Sequence, residues 1–377
     1  MADSIYERFG VKTVINASGK MTHLGGSVLS ARVADAIRQA SQNHVDMDQL
    51  LTRAGGLVAE ATGAEAAWVT TGAAAGIALS AAAVIAGSNP HHIALLPDSS
   101  FTNRREIVLQ AGHQVNFGAP VTQMLRLGGG VPLIVGAVNG TTSAQVASAV
   151  GPNTAALFFI QSHHAVQPGA VPLADFVTIA RERRVPLIVD AAAEEDLHTY
   201  IGAGADLVTY SGGKAIGGPT SGFVAGKRDL IDAVRAQGRG IGRPMKVSKE
   251  QIAGFLVALE EYLSSDADTI SRRNERSTYL AGLLEGIADL KVTLEDDEAG
   301  RLISRVALTP EQALGLSARE LADQLAAGSP SIRVRAHHAD QGTILLDPRE
   351  LSIGAEELIA RRVREVVRLA KRANAGR

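Results

Sequence analysis

The fold is decided by two stretches of the sequence, Val185-Pro186-Leu187-Ile188-Val189-Asp190-Ala191-Ala192-Ala193 and Asp206-Leu207-Val208-Thr209-Tyr210-Ser211-Gly212-Gly213-Lys214. Each contains a short apolar run rich in β-branched residues, which is typical of a buried β-strand. Each run ends in polar residues, Asp190 in the first stretch and Ser211 and Lys214 in the second. Because open α/β sheets bind their ligands at the carboxyl ends of the strands, the two stretches predict a ligand site at one edge of a sheet.

Further apolar runs alternate with helical stretches on both sides of these two strands. In addition to 187–190 and 206–210, the pattern predicts strands at 67–71, 93–96, 155–160 and 222–225. It predicts helices at 73–86, 104–111, 174–184 and 230–236. Strands of this length that alternate with helices indicate an α/β fold, with a mostly parallel sheet sandwiched between helices.

The composition narrows the classes of function that are open to the chain. Its 377 residues are 46% hydrophobic and 20% charged, as in a folded protein larger than one typical domain. A net charge of −2 gives no overall field that would attract nucleic acid or an anionic membrane. The absence of cysteine excludes disulfides and thiol nucleophiles, and it fits a cytoplasmic location. Residues 1–10 lack the apolar core of a signal peptide, and the apolar run at 73–87 is too short to cross a membrane.

Two kinds of glycine-rich motif lack the context that nucleotide binding requires. The glycine-rich loops at 202–204 and 238–242 do not lie between a strand and a helix, as a dinucleotide-binding loop does. The Gly-Lys pairs at 19–20, 213–214 and 226–227 are not followed by Ser or Thr, which argues against a nucleotide P-loop.

Histidine pairs occur at 91–92, 163–164 and 337–338. Adjacent side chains on a strand point to opposite faces, so a pair of this kind does not converge on one ion. No His-Glu-x-x-His motif occurs either. We therefore expect no metal site.

A third stretch, Thr70-Thr71-Gly72-Ala73-Ala74-Ala75-Gly76, leads from a predicted strand into a helix. Its small residues leave the N–H groups of the first helical turn accessible, and such a helix start binds anions. A lysine (Lys214), an acid (Asp190) and a phosphate cradle at one sheet edge are the groups that pyridoxal 5′-phosphate (PLP) requires. The lysine forms a Schiff base with the cofactor, and the acid keeps the pyridine nitrogen protonated. The sequence therefore predicts a PLP enzyme.

At these residues, and at others across nearly the whole chain, the sequence resembles the fold type I PLP enzymes. Within them it resembles the selenocysteine synthase (seryl-tRNA selenium transferase)-like family, in the branch that includes D-glucosaminate-6-phosphate ammonia-lyase. The matching stretches include Asn16-Ala17-Ser18-Gly19, Thr71-Gly72-Ala73-Ala74-Ala75-Gly76, Ser211-Gly212-Gly213-Lys214, Gly242-Arg243-Pro244-Met245-Lys246-Val247 and Leu346-Asp347-Pro348-Arg349. Two positions depart from the family pattern, because Thr220 replaces a longer polar residue and Asp340-Gln341-Gly342 replaces Asn-Glu-Gly.

The resemblance implies a role for each residue around the cofactor. Lys214 matches the Schiff-base lysine, and Asp190 matches the partner of the pyridine nitrogen. Ala192 is expected to pack against one face of the ring. Phe101, or a neighbour within 99–103, is expected on the other face, and a core aromatic is the competing interpretation of Phe101. The residues expected at the phosphate are Thr71, Gly72, Ala73 and Ser211, with Gly218 or Thr220 from a neighbouring subunit.

The substrate-binding candidates lie outside this region. Arg335 is the candidate for the substrate carboxylate, because arginine forms bidentate pairs with carboxylates. Arg333 shares a face of the predicted strand and is the rival, while a structural ion pair is the competing interpretation for either arginine. Thr22 is a further candidate, within a glycine-rich segment (19–26) that the family extends to a neighbouring subunit. We therefore expect a homodimer or a higher homo-oligomer.

The chain is predicted to have three parts: an N-terminal arm at 1–50, a large PLP-binding domain at 51–245 and a small C-terminal domain at 246–377. Ser248 can cap a long helix at the start of the third part. An α+β character is indicated there by strand-like runs and a final amphipathic helix, at 291–294, 304–308, 332–335, 343–346 and 355–372.

Together these features predict a PLP-dependent lyase of the ammonia-lyase type, which acts on a small polar amino acid or an amino-sugar acid. The alternatives are a racemase, an aldolase or a selenium transferase-like enzyme. A non-enzymatic scaffold would be expected to have lost the lysine or the acid. The basic runs at 181–184 and 361–377 lie on predicted helices and are expected to be solvated, so we expect neither a nucleic-acid partner nor a membrane.

Overall fold

A computed structural model of the chain describes residues 5–162, 165, 167–265, 268–297 and 301–375. The chain divides into two compact units: a large unit, Leu29–Ser264, and a small unit that combines Met1–Val28 with Ser265–Arg377. These boundaries differ from the predicted ones at 50 and 245. The N-terminal segment joins the C-terminal part of the chain because strand Val14–Ala17 pairs with strand Ser331–Val334.

The secondary structure alternates between strands and helices over most of the chain. The strands are β1 (Val14–Ala17), β2 (Ala66–Thr70), β3 (Glu106–Gln110), β4 (Val131–Val135), β5 (Thr154–Ile160), β6 (Leu187–Asp190), β7 (Leu207–Ser211), β8 (Gly222–Gly226), β9 (Leu290–Asp296), β10 (Ser304–Pro310), β11 (Ser331–Val334) and β12 (Ile344–Leu346). The α-helices are α1 (Ile5–Arg8), α2 (Ala31–Ser41), α3 (Met47–Thr62), α4 (Ala73–Ala86), α5 (Pro90–Leu95), α6 (Val121–Leu127), α7 (Ser143–Ala149), α8 (Leu173–Arg183), α9 (Thr199–Ala203), α10 (Arg228–Ala236), α11 (Lys249–Ser264), α12 (Asp268–Leu284), α13 (Ala318–Ala327) and α14 (Ala355–Ala375). Within the described ranges, none of these helices combines the length and the apolar character needed to cross a membrane.

The large unit is built on a seven-stranded sheet in the order β2-β8-β7-β6-β5-β3-β4. Strand β8 pairs antiparallel with β2 and β7, and the other neighbours are parallel. The mostly parallel α/β sheet predicted from the sequence is confirmed. Because β2, β6 and β7 run in the same direction, their carboxyl ends at Thr70, Asp190 and Ser211 lie along one edge of the sheet.

Helices cover both faces of this sheet. Every residue of β5 is buried, as expected for a parallel strand that is covered on both sides. Helix α4 packs on one face of the sheet, in the hydrophobic cluster that includes Ile188. Helix α11 packs on the other face, where Phe255 belongs to the same cluster as Val208. The approach of α4 to the sheet is so close that a Cβ at Gly76 would lie 2.6 Å from the methyl carbon of Thr209.

The prediction of a strand at 93–96 is wrong, because most of this run lies in α5. The Asn89 side chain accepts hydrogen bonds from the N–H groups of His91 and His92, and Pro90 occupies the first turn. This capping pattern starts a helix, and it outweighs the β-propensity of a short apolar run.

The prediction of a helix at 104–111 is also wrong, because this segment contains β3. Ile107, Val108 and Leu109 are completely buried in the interior of the sheet, where β-branched and large aliphatic residues fill both faces. Strand β4 was not predicted. It contains Pro132, which a strand tolerates at the edge of a sheet, and β4 is an edge strand.

The small unit contains an antiparallel sheet in the order β12-β10-β9 and the parallel pair β1-β11. Leu280 of α12, Leu321 of α13 and Ile359 of α14 form a core with Val306 of β10. Helix α11 was predicted to begin this domain. It lies instead in the large unit, because Ile252 and Phe255 belong to the core of that unit.

Candidate active site

Hydrogen bonds and strand register bring several predicted site residues together at one edge of the sheet in the large unit. Ser211 is opposite Gly222, and Gly222 is opposite Thr70 on the other side. The Ser211 N–H donates to the Ala192 carbonyl at 3.3 Å, and the Ala192 N–H donates to Asp190 Oδ1 at 3.1 Å. The ends of β2, β6 and β7 therefore form one continuous edge.

Helix α4 begins at this edge. Gly72 is the residue before the helix, and among the described residues no side chain caps the helix start. Gly222 allows a close approach, because a Cβ at this position would lie 2.6 Å from the Gly72 carbonyl carbon and 2.9 Å from the Ala73 nitrogen. Uncapped N–H groups at the positive end of a helix dipole bind anions. The residues predicted to hold a phosphate, Thr71, Gly72, Ala73 and Ser211, therefore lie at or beside an uncapped helix start.

Asp190 is a buried carboxylate at the centre of the edge. It is 6% exposed, and burial raises its pKa to about 6. The positive charge of Lys214 and the hydrogen bond from the Ala192 N–H act in the opposite direction. The electrostatic effect of Lys214 on Asp190 means that the predicted lysine and acid are close enough to interact.

Lys214 lies in a tight turn after β7. The Gly212 N–H donates to the Ser221 carbonyl at 2.9 Å, and the Gly218 N–H donates to the Gly212 carbonyl at 2.8 Å. The Lys214 carbonyl accepts the Gly217 N–H at 3.1 Å. Position 212 requires glycine, because a Cβ would lie 2.2 Å from the Ser221 hydroxyl. The turn fixes the backbone of Lys214 and leaves this residue partly exposed.

Gly218 and Thr220 lie in different environments of the same turn. Gly218 is buried, and a Cβ there would lie 3.2 Å from the Gly212 carbonyl oxygen. Thr220 is exposed. Their expected contact with the phosphate bound to a neighbouring subunit stays a prediction.

Phe101 requires a correction, because the structure does not bring it to this edge. It precedes β3, a strand parallel to β5, so it belongs to the amino-terminal edge of the sheet. Its ring packs against the hydrophobic core and stacks on His92, with 4.2 Å between the centroids and 10° between the planes. Phe101 is half-buried against the core, which favours the competing interpretation of a core aromatic over the cofactor-stacking role.

His113 was missed by the sequence analysis and follows the carboxyl end of β3. Its Nδ1 accepts the Ile160 N–H at 3.0 Å, and its Nε2 lies 2.9 Å from the side-chain nitrogen of Gln110. Burial lowers the pKa of His113 to about 4, so the ring is neutral and holds the end of β5 in place. Its position just after a strand end, the rule that identified Asp190, would have been a signal only if 106–110 had been predicted as a strand instead of part of a helix.

Glu194 was also missed, in the loop that follows Asp190. It is 7% exposed, and it accepts a hydrogen bond from the Tyr200 hydroxyl at 3.2 Å. The Tyr210 hydroxyl donates to the carbonyl of Asp196 at 3.1 Å, which anchors the same loop. Of the three histidine pairs, the pair at 163–164 lies outside the described residues.

The predicted substrate arginines lie in the small unit, in different environments. Arg333 is exposed and is opposite Asn16 of β1. Strand β11 ends before Arg335, which forms a bridge with Leu345. The Arg335 Nε is buried and donates no hydrogen bond to a described residue. Burial, with the neighbouring charge of Arg305, lowers the pKa of Arg335 to about 10.

Arg335 lies beside a buried network of arginines and aspartates. Asp347 accepts hydrogen bonds from Arg305 Nε at 2.9 Å and from Arg349 Nη2 at 2.8 Å. Arg305 also pairs with Asp297 at 2.8 Å. Thr22, the third substrate candidate, is exposed in a 3-10 turn of the same unit.

Comparison with known proteins identifies the family. The family model of SelA, L-seryl-tRNA selenium transferase, matches residues 14–329. The chain belongs to this family. The family resemblance and the fold class predicted from the sequence are therefore confirmed.

Two relatives align with this chain over almost its whole length. The 5′-C-glycyluridine monooxygenase-decarboxylase of a Streptomyces species is 46% identical, over 96% of this chain and 92% of that protein. The D-glucosaminate-6-phosphate ammonia lyase of Salmonella typhimurium is 42% identical, over 97% of this chain and 98% of that protein. A solved structure of D-glucosaminate-6-phosphate ammonia-lyase superimposes with a TM-score of 0.90, and it covers 98% of this chain and 100% of that chain at 42% identity.

Proposed function

We propose that this SelA-family chain is a PLP-dependent lyase that releases ammonia from a small polar amino acid or an amino-sugar acid. One observation carries the proposal: the buried carboxylate of Asp190 interacts with Lys214 at the ends of neighbouring strands, beside the uncapped start of α4. The identity of 42% to D-glucosaminate-6-phosphate ammonia lyase supports the same reaction.

The residues at this edge fit PLP. Lys214 would carry the cofactor, Ala192 would pack on one face of its ring, and Ser211 with the first turn of α4 would hold its phosphate. The second carboxylate oxygen of Asp190 accepts no hydrogen bond from a described residue, so it is available to a protonated ring nitrogen. When bound, PLP withdraws electrons from the α-carbon of an amino acid and thereby acidifies the C–H bond.

In the proposed reaction the chain holds charges and moves one proton. With the substrate amine bound, the free amine of Lys214 would remove the proton from the α-carbon. Asp190 would hold the proton on the ring nitrogen. Lys214 would then return its proton to the β-hydroxyl group, which would leave as water. Hydrolysis of the C–N bond consumes one water and releases ammonia and a keto acid, so the reaction needs no oxidant.

Arg335 is proposed to bind the substrate carboxylate. Its Nε is buried without a partner among the described residues, and an anion would supply the missing acceptor. The exposed Arg333 is the weaker candidate, because a solvated guanidinium gains less from a bound anion. Thr22 remains a further candidate for substrate contact.

A second candidate function is oxidative decarboxylation. The identity of 46% to 5′-C-glycyluridine monooxygenase-decarboxylase favours it. That name describes a reaction on a uridine that carries a glycyl group, and a glycyl group also presents an amino carbon to a cofactor such as PLP. The two candidates differ in their co-substrate and products, because a monooxygenase consumes O2 and a decarboxylase releases CO2.

Two measurements test these functions, and the second separates them. Purified protein should develop a visible absorption band when it is mixed with PLP, and Lys214→Ala should not. The loaded enzyme, assayed without oxygen on D-glucosaminate-6-phosphate, serine and other polar amino acids, should release equal amounts of ammonia and keto acid. Turnover only with O2, together with CO2 release, would replace the lyase by the second candidate. Failure to bind PLP would exclude both candidate functions.

We also propose that the enzyme is a cytoplasmic homodimer or higher homo-oligomer, which acts on a free small molecule without nucleic acid or membrane. The glycine-rich segment 19–26 is proposed to reach a neighbouring subunit. A fully active monomer, detected by light scattering at the assay concentration, would contradict the oligomer. Tight, salt-sensitive binding of seryl-tRNA in a gel-shift experiment would contradict the free substrate and restore the selenium transferase alternative.

A further inference from the structure

Thr209 lies within the candidate site and has no role in the reaction described above. It is the register partner of Asp190 in the parallel pair β6-β7, so the two side chains emerge next to each other on the same face of the sheet. Thr209 is completely buried. Its hydroxyl forms no hydrogen bond with any residue that the structure describes.

Packing explains the methyl group of Thr209 but not its hydroxyl. The methyl carbon of Thr209 packs against Gly76 of α4, and a Cβ at Gly76 would lie 2.6 Å from it. Val224 lies beside Gly76 at the same place. Valine would fill this volume equally well without a polar atom. Buried hydroxyl groups in folded proteins normally have a hydrogen-bond partner. The unpaired hydroxyl therefore points to an acceptor among the neighbouring side chains.

The register of β6 and β7 places Asp190 beside Thr209, and we take its carboxylate as the acceptor. Only the Ala192 N–H, at 3.1 Å from Oδ1, donates to this carboxylate among the described residues. Lys214 is the charged group that acts on it, while burial favours its neutral form. A carboxylate that must stay ionised in such a position gains from a further donor. Neighbouring strands lie about 4.8 Å apart, and at this spacing a threonine hydroxyl can reach a carboxylate on the next strand.

We propose that Thr209 is a positioning residue: its hydroxyl donates a hydrogen bond to the second oxygen of Asp190 and keeps this carboxylate ionised and oriented. The proposal rests on the proposed function only for the identity of the group that Asp190 binds, the ring nitrogen of PLP. Thr209 itself touches neither the substrate nor the reacting atoms in this role.

Three substitutions test the proposal. Thr209→Val removes the hydroxyl and keeps the shape of the side chain, whereas Thr209→Ser keeps the hydroxyl. Ser80→Ala is the matched control, because Ser80 of α4 is also completely buried with an unpaired hydroxyl but is not the neighbour of Asp190. The first measurement is the pKa of Asp190 in the cofactor-free protein, by NMR of ¹³C-labelled aspartate carboxyl groups, with Asp190→Asn to assign the signal. The second is a spectroscopic titration of PLP binding.

We expect Thr209→Val to raise the pKa of Asp190 by about 1 and to weaken PLP binding several-fold. Thr209→Ser and Ser80→Ala should match the wild type in both measurements. In the loaded enzyme, Thr209→Val should lower kcat more than it changes KM. If Thr209→Val does not fold, Thr209→Ala takes its place with the same expectations. An unchanged pKa of Asp190 in the variant without the hydroxyl, or an equal change in Ser80→Ala, would overturn the proposal.

The two proposals fail in different ways. If Thr209 has no such role, the wild type still binds PLP through Lys214, and Thr209→Val behaves like the wild type. If the proposed function is wrong, the wild type does not bind PLP. The NMR comparison in the cofactor-free protein then still tests the hydrogen bond between Thr209 and Asp190.

Discussion

Asp190 in the large unit and Asp347 in the small unit are both buried carboxylates, with exposed fractions of 6% and 0%, yet their pKa values are shifted in opposite directions. Burial raises the pKa of Asp190 to about 6. Burial acts in the same sense on Asp347, but the hydrogen bonds and charges of Arg349 and Arg305 outweigh it and hold the pKa well below its usual range.

The number of partners, rather than burial, distinguishes these two groups. Asp347 accepts hydrogen bonds from Arg305 Nε at 2.9 Å, from Arg349 Nη2 at 2.8 Å and from the Arg349 backbone N–H at 3.2 Å. Among the described residues, Asp190 accepts one backbone N–H and interacts with one lysine, which we propose is occupied by the cofactor. A charge with a full set of partners stabilises the fold, whereas a buried charge with few partners retains the capacity to bind a ligand.

The largest effect is expected when Lys214, the partner of Asp190, is replaced. Lys214→Ala should abolish covalent attachment of PLP and lower turnover by about 10⁴-fold or more, because it removes both the attachment point and the proposed base. Borohydride reduction followed by peptide mass spectrometry checks the attachment. Lys291→Ala, at an exposed lysine of the small unit, is the control and should label and turn over like the wild type. Normal labelling of Lys214→Ala would assign the cofactor to another amine.

The next largest effect is expected when Asp347 is replaced in its network of ion pairs. Asp347→Asn should lower the free energy of unfolding by about 3–5 kcal/mol, because it leaves the buried Arg305 without part of its compensating charge. Asp190→Asn should leave the stability at pH 7 unchanged or higher, and it should lose most of its turnover. Urea denaturation of the cofactor-free proteins measures both. Asp340→Asn, which removes an exposed pair with Arg319, should change the stability by less than about 1 kcal/mol. Equal destabilisation at positions 190 and 347 would refute the contrast.

The region around Asp190 was predicted well from the sequence. Strand β6 was predicted with its observed bounds and β7 with a shift of one residue, because both are runs rich in β-branched residues in a sheet that is covered on both faces. Their polar ends then identified Asp190 and Lys214. Other runs were less informative: α5 and β3 were exchanged in type, and Pro132 concealed an edge strand.

The network of ion pairs around Asp347 could not be predicted from the sequence. Arg305 reaches Asp347 from β10, and Arg349 reaches it from a 3-10 turn after β12, so only tertiary packing brings them together. The difference between Arg333 and Arg335 has the same origin, because it depends on where β11 separates from β1. The periodicity of a strand shows which residues share a face, but not where the strand stops.

The pH dependence of stability should show the contrast directly. Asp190 has a pKa of about 6 in the folded state and about 3.9 in the unfolded state, so the folded state binds the proton more tightly. Its contribution to stability is fully present below about pH 4 and is lost as the pH rises through about 6, by about 2–3 kcal/mol. For Asp347 the sign is reversed, because its lowered pKa gives stability that is present above about pH 4 and is lost in more acidic solution.

Asp190→Asn isolates the first of these contributions. Between pH 4.5 and pH 7, the stability of the cofactor-free variant should rise relative to the wild type by about 2 kcal/mol, measured by urea denaturation at each pH. The subtraction removes the titration of all other carboxylates. A constant difference between the two proteins over this range would mean that Asp190 is ionised in the folded state throughout.

The smallest effect concerns the small unit, where Arg305 and Arg349 share Asp347 while the Nε of Arg335 has no acceptor among the described residues. If Arg335 receives the substrate carboxylate, Arg335→Gln should raise KM by about 10–100-fold with a smaller change in kcat, as expected for the loss of a charge-assisted hydrogen bond. The exposed Arg333 lies two residues away, so Arg333→Gln is the matched control and should leave KM within about twofold. Steady-state kinetics on the substrate found in the anaerobic assay measures both. A larger rise in KM for Arg333→Gln than for Arg335→Gln would exchange the two roles, and it would show that a buried guanidinium without an acceptor is here a feature of the fold rather than of the substrate site.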